Sequence, residues 1–228
     1  MQGVRLEVDA HIVTAATPNL RNLDVALEKA AISVHNRTLS GLAAAEAVLQ
    51  RQQREAGTVL LDIGAGTTNL AVLEDGEVQH VAVLPIGGQH ITNDLAIGLK
   101  TDLDIAESVK LQHATLAKGI PKRDIRIKAH GEDYLFKAED VAMVTEARVE
   151  ELFEFVNKEL ARIHKAHKLP GGVVIVGGTA KLPGIAAFAK EQLQLAARVG
   201  KLQPLSGLID TVSAPEYSTA VGLMLLDM

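Results

Sequence analysis

The run V-L-L-D-I-G-A-G-T-T-N, Val59 to Asn69, constrains this chain more than any other feature of its sequence. Thr58 to Ile63 is almost wholly apolar, as expected of a strand buried on both faces. The run carries an acid near its end, Asp62, then turns through Gly64, Ala65 and Gly66. It leaves through Thr67 and Thr68 into an alternating segment that reaches Glu74. Backbone without side chains at Gly64 and Gly66 can approach a ligand closely and aim N–H groups at it, as a phosphate nest does. The hydroxyls of Thr67 and Thr68 can donate further hydrogen bonds. Asp62 would repel a phosphate, so it makes sense here if a divalent cation, Mg2+ with its waters, bridges acid and phosphate. The plainer alternative is a tight hairpin with a strand-terminal acid.

A second strand-to-glycine junction lies at V-V-I-V-G-G-T-A-K-L-P-G, Val173 to Gly184. A buried strand runs into Gly177 and Gly178 and then a helix, whose first turn would offer free N–H groups and a positive dipole end. An ordinary β-turn-α connection needs glycine too. Two glycine clefts at strand ends, in separate halves of one chain, imply a ligand held between two lobes.

The remaining pattern predicts an α/β chain. Gly3–Thr14 alternates, with Val4, Leu6 and Val8 on one face, and reads as a strand without an obvious partner. Thr17-Pro18 opens a helix with Leu20, Leu23 and Leu27 in its apolar stripe. An alanine-rich helix is expected from about Gly41 to Arg54. Val78 to Pro85 continues the alternation, and Asp75-Gly76 before it is a type I′ hairpin signal. Thr58–Ile63, Thr68–Glu74 and Val78–Pro85 should therefore lie side by side and antiparallel, with Val173–Val176 parallel to the first. Helices follow from about Gln89 to Gly98 and from Leu103 to His113, the latter with a Thr101/Asp104 capping box. Ile125, Ile127 and Ala129 form a short strand. Glu139–Lys168 reads as a long helix with His164 and His167 on it, Leu182–Ala197 as another, and Pro215–Leu226 as a small-residue helix.

Composition narrows the function classes. The 228 residues carry 28 acidic and 23 basic side chains and 3% aromatics, which gives neither an electrostatic footprint nor a stacking platform for nucleic acid. With no cysteine there is no disulfide, thiolate metal site or cysteine nucleophile. The eight histidines are scattered and read as surface residues rather than ligands.

These motifs resemble the actin superfamily of ATP-binding folds, and within it the bacterial cell-division family FtsA. D-I-G-A-G-T-T-N looks like that family's second phosphate loop and V-G-G-T-A-K-L-P-G like its adenosine loop. A-P-E-Y-S-T-A-V-G-L, Ala214 to Leu223, and S-G-L-A-A-A-E-A-V-L, Ser40 to Leu49, resemble its two connecting helices. The opening strand resembles the close of the family's extra subdomain. The resemblance implies an actin-like, ribonuclease H-like lobe with a mixed sheet. Residues 58–228 would be the second lobe, with an inserted subdomain at about 89–168, and residues 1–57 a remnant of the extra subdomain and first lobe.

The resemblance further implies ATP and Mg2+ as cofactors. Asp62 would face the metal and Gly64, Ala65, Gly66, Thr67 and Thr68 the phosphates. Glu107 would accept from ribose hydroxyls, Lys110 would cover the adenine, and Gly177, Gly178, Thr179 and Lys181 would form the adenosine loop. The plainer alternative for Glu107 and Lys110 is a solvated helix face, and Gly87-Gly88 reads as a helix start. Ser40 stands where relatives that hydrolyse well carry Glu or Gln, which argues against fast hydrolysis. As partners the resemblance implies the tubulin homologue FtsZ, docked on the small subdomain, and self-association into filaments, in the cytoplasm at the inner face of the membrane. The mildly basic stretch Lys118, Lys122, Arg123, Arg126 and Lys128 is either a solvated face or part of that docking surface.

No family first phosphate loop precedes Gly3 and no basic amphipathic membrane helix follows Asp227. On the resemblance, a truncated form is expected. It would bind ATP weakly, hydrolyse none usefully, and self-associate through the exposed face of its opening strand. Two other readings stay open: a nucleotide-independent interaction module, and the pilus-assembly actin homologue, against which E-Y-S-T-A-V-G-L argues.

Overall fold

The computed structural model describes residues 12–119, 123–203 and 212–227. The chain divides into two compact units, Met1–Leu39 and Ser40–Met228. In the first, α1 (Thr17–Lys29) begins with proline in its first turn and buries none of its residues. Arg37 holds Asp24 at 2.6 Å. Most of the expected opening strand, with Val4, Leu6 and Val8, lies outside the described residues, as does Lys122. Ile12–Thr14 take no regular structure.

The second unit is organised by five strands: β1 (Thr58–Ile63), β2 (Thr68–Glu74), β3 (Glu77–Leu84), β6 (Gly172–Val176) and β7 (Ala197–Val199). Their order is β3-β2-β1-β6-β7. β1 and β2 are antiparallel with Thr58 opposite Leu73 and Asp62 opposite Asn69. β2 and β3 are antiparallel, and β1 runs parallel to β6 with Leu61 beside Ile175. The expected arrangement of these four strands is therefore the one observed. Asp75 and Gly76 both take positive φ, 54° and 79°, as a type I′ turn requires.

β1 is apolar at Val59, Leu60, Leu61 and Ile63 because both faces are covered. Val59, Leu61, Ile63, Val173 and Ile175 pack with α4 (Gly88–Leu99), α5 (Leu103–His113), α6 (Ala138–Arg162) and α7 (Ile185–Leu193). On the other face Leu60, Ala71, Leu73, Val174 and Val176 meet α2 (Ser40–Val48) and α8 (Ser218–Leu226). The small residues of α2 and α8 let their backbones touch: a Cβ on Gly222 would stand 1.7 Å from the Ala43 carbonyl oxygen. A separate hairpin, β4 (Asp124–Ala129) with β5 (Glu132–Lys137), turns at His130 and Gly131 and packs beside α5 and α6.

Five expectations are corrected. The helix expected from Gly41 to Arg54 breaks at Leu49, which is fully buried, and restarts as α3 (Arg51–Ala56). The Gln50 amide donates to Gln53 Oε1 at 3.1 Å and caps that restart. The Thr101/Asp104 capping box does not form: Asp102 is the residue before the helix and Thr101 Oγ1 is buried without a partner. β5 completes a hairpin where a lone strand was expected. The long helix stops at Arg162, so His164 and His167 stand in turns with φ of 61° and 59°, not on a helix. The expected Leu182–Ala197 helix is shorter, ending at Leu193, and Gln194 at φ 51° redirects the chain into β7. Among the described residues no helix is long and apolar enough to cross a membrane.

Candidate functional site

β1 and β6 are parallel, so both present their carboxyl ends at the same edge of the sheet, where open α/β sheets place ligands. At that edge lies a cleft of about 410 Å³. Gly64 and Ala65 of the β1–β2 turn, Gly88 at the start of α4, Glu107 and Lys110 of α5, and the 3₁₀ turn Gly178–Lys181 all line it. Ile91, Leu111, Leu182 and Pro183 supply apolar walls.

The walls are tied together by backbone. The first two amides of α4, Gly88 and Gln89, donate to the carbonyl oxygens of Gly64 and Ala65 at 2.9 and 2.7 Å. Thr179 Oγ1 donates to the same Gly64 oxygen at 3.1 Å. This packing fixes the residues at 87 and 88. A Cβ on Gly87 would stand 2.6 Å from the Gly64 oxygen, and one on Gly88 2.5 Å from Thr179 Oγ1. The pair does start the helix, and it also docks the turn, a role that shows only in three dimensions.

Gly64 and Gly66 behave differently. Neither takes positive φ, and a Cβ on Gly66 would meet nothing within 4 Å. Ala65, Gly66 and Thr67 are exposed, so the turn offers its backbone to a ligand, but not by the left-handed geometry of a nest. Thr68 turns away: it is buried and its hydroxyl donates to the Ile86 carbonyl at 2.8 Å.

Glu107 and Lys110 face the cleft together, 2.6 Å apart. Lys110 Nζ also donates to Thr92 Oγ1 at 2.8 Å and to the Gly88 carbonyl at 3.2 Å, and Thr92 donates to Glu107. Burial works to raise the Glu107 carboxyl, but the bonds from Lys110 and Thr92 outweigh it and hold it below the usual range. On the opposite wall Lys181 pairs with Glu216, whose carboxyl is lowered by that contact. Thr92 and Glu216 were not singled out in the sequence. Glu216 sits in the P-E-Y-S-T run, where only a helix was read.

Asp62 lies behind the turn rather than in the cleft wall. Its Oδ2 accepts from Thr219 Oγ1 of α8 at 2.9 Å. Burial pushes its carboxyl above the usual range, against the lowering effect of that bond. Its other oxygen lies over Gly177, whose φ is 86° and where a Cβ would stand 2.6 Å from Asp62 Oδ1. A half-buried acid that pairs with no cation among the described residues fits a divalent cation nearby. A cleft of this size with apolar walls and a few polar groups fits a base and sugar.

The sheet, its flanking helices and the strand-end cleft define an actin-like fold. The structure is similar to MreB5 of Spiroplasma citri, solved bound to ADP, with a TM-score of 0.76 at 17% identity, over 93% of this chain and 66% of that one. The model of the cell division protein FtsA matches residues 59–222. Two similar relatives are the FtsA proteins of Pseudomonas aeruginosa, 37% identical over 99% of this chain, and Bacillus subtilis, 37% identical over 98%. The chain belongs to the FtsA family. It spans about half the length of the curated relatives it matches, 55% and 50% of these two.

Proposed function

We propose that this chain supplies one wall of an ATP-binding site in an FtsA-like actin homologue of bacterial cell division. The exposed backbone of Ala65–Thr67 would meet the phosphates. Glu107 would accept from the sugar hydroxyls. The base would lie among Ile91, Leu111, Leu182 and Gly178, with the Lys110 stem across it. Asp62 would hold Mg2+ through its water shell, and the ion supplies charge neutralisation at the phosphates. The observation that carries this reading is the convergence of the β1–β2 turn, the start of α4, the Glu107–Lys110 pair and the Gly178–Lys181 turn on one cleft.

In this reading residues 58–228 act as the second lobe and about 89–168, with the β4–β5 hairpin, as an inserted subdomain that docks FtsZ. Filament formation and attachment of FtsZ at the membrane septum belong to the whole protein. Calorimetric titration with ATP and Mg2+ tests the site: saturable binding at one site is expected, weakened about tenfold or more by Lys110→Ala, which removes the stem that covers the base and the partner that holds Glu107. No saturable binding would refute it.

One observation favours a second reading, a nucleotide-independent interaction module. Both lysines of the cleft are already paired with carboxylates, Lys110 with Glu107 and Lys181 with Glu216. FtsZ co-sedimentation that ATP leaves unchanged, together with a silent titration, would establish it.

A further inference from the structure

Thr219 touches Asp62 across 157 residues of sequence, and among the described residues no other side chain hydrogen-bonds that carboxylate to hold its orientation. Three contacts pin the segment that carries Thr219. The Gly177 amide donates to the Pro215 carbonyl at 3.1 Å, Ser218 Oγ donates to the same oxygen at 2.8 Å, and Glu216 pairs with Lys181. The start of α8 is thus fastened to the end of β6, beside the end of β1. With Oδ2 accepting from Thr219, the carboxylate presents Oδ1 over the bare backbone of Gly177.

We propose that Thr219 is a positioning residue for divalent-cation binding: its hydroxyl fixes the Asp62 carboxylate by one oxygen and leaves the other for a cation or its bound water. This rests on the proposed nucleotide–cation reading of the cleft. A carboxylate free to rotate would have to be ordered when the ion arrives, and the lost rotamer freedom weakens binding. Magnesium, which demands near-octahedral geometry and keeps most of its waters, is sensitive to how its few protein oxygens are aimed. A hydroxyl donor suits the task because it stabilises the charged carboxylate without bringing a competing cation.

The variant T219V removes the donor at nearly constant volume, and T219S retains it. Mn2+ binding is measured on the full chain by electron paramagnetic resonance, with and without ATP, and ATP affinity is measured separately in EDTA. T219V is expected to weaken Mn2+ about tenfold or more, the effect of one charge-assisted hydrogen bond. T219S should stay within about threefold of wild type. ATP affinity in EDTA should be the same for all three proteins, which a merely structural role for Thr219 would not give. Should T219V fail to fold, T219A carries the same comparison. Unchanged Mn2+ affinity in T219V, or T219S as weak as T219V, overturns the proposal. ATP binding without any Mn2+ binding in wild type overturns it and leaves the nucleotide reading intact. Mn2+ binding that depends on Thr219 without ATP binding removes the nucleotide reading instead.

Discussion

Gly177 carries a heavier steric constraint than either glycine of the β1–β2 turn. Its φ of 86° is left-handed, and an added Cβ would stand 2.5 Å from the Ile63 carbonyl oxygen. Gly177→Ala should cost about 1–3 kcal/mol from the backbone alone, with the clash added, while Gly66→Ala should leave the urea midpoint unchanged, since its Cβ meets open space. Equal midpoints for the two variants would contradict the packing described. Glu107 gives a pH signature. Its folded pKa is lowered, so its contribution to stability is present above its unfolded value and is lost as pH falls through the folded one. The difference in urea midpoint between wild type and Glu107→Gln should therefore be largest near neutrality and shrink below about pH 4.5. A difference that grows on acidification would mean Lys110 and Thr92 do not hold the charged form.

At the scale of elements, the hairpin and the α4–α6 contact are the separable tests. Gly76 at φ 79° makes Gly76→Ala cost about 1–2 kcal/mol. Arg148 of α6 grips both Asp94 oxygens on α4 and also reaches Glu151. With the side chain about a quarter exposed, Arg148→Ala should cost about 1–2 kcal/mol in chemical unfolding. Arg51→Ala, at a solvated pair, should leave stability unmoved. β2 and β3 were legible by their alternation, β1 and β6 as apolar runs ending near glycines, and most helices because each spans several turns of its apolar stripe. β7 was not, since Ala197–Val199 is too short to show an alternation. Nor were the stops after Arg162 and Leu193, where residues other than glycine, His164 and Gln194, take positive φ.

At the scale of the whole molecule, the strand-end glycine motifs announced a site, but the contacts that assemble it left no local trace. Thr179 reaches Gly64 and Thr219 reaches Asp62 over 115 and 157 residues, and no periodicity or spacing encodes such pairs. Thr68 shows the converse: a motif position whose hydroxyl is spent on the Ile86 carbonyl. An adenine nucleotide bound in this cleft would touch all four of its walls. The most direct measurement is a titration of the isotope-labelled chain with ATP and Mg2+, followed residue by residue through its backbone amide resonances. Saturable shifts are expected, concentrated at Gly64–Thr67, Gly88–Ile91, Glu107–Leu111 and Gly178–Leu182. Shifts centred elsewhere, or none up to several millimolar nucleotide, where weak single-site binding would still register (about −3 to −4 kcal/mol), would contradict binding in this cleft.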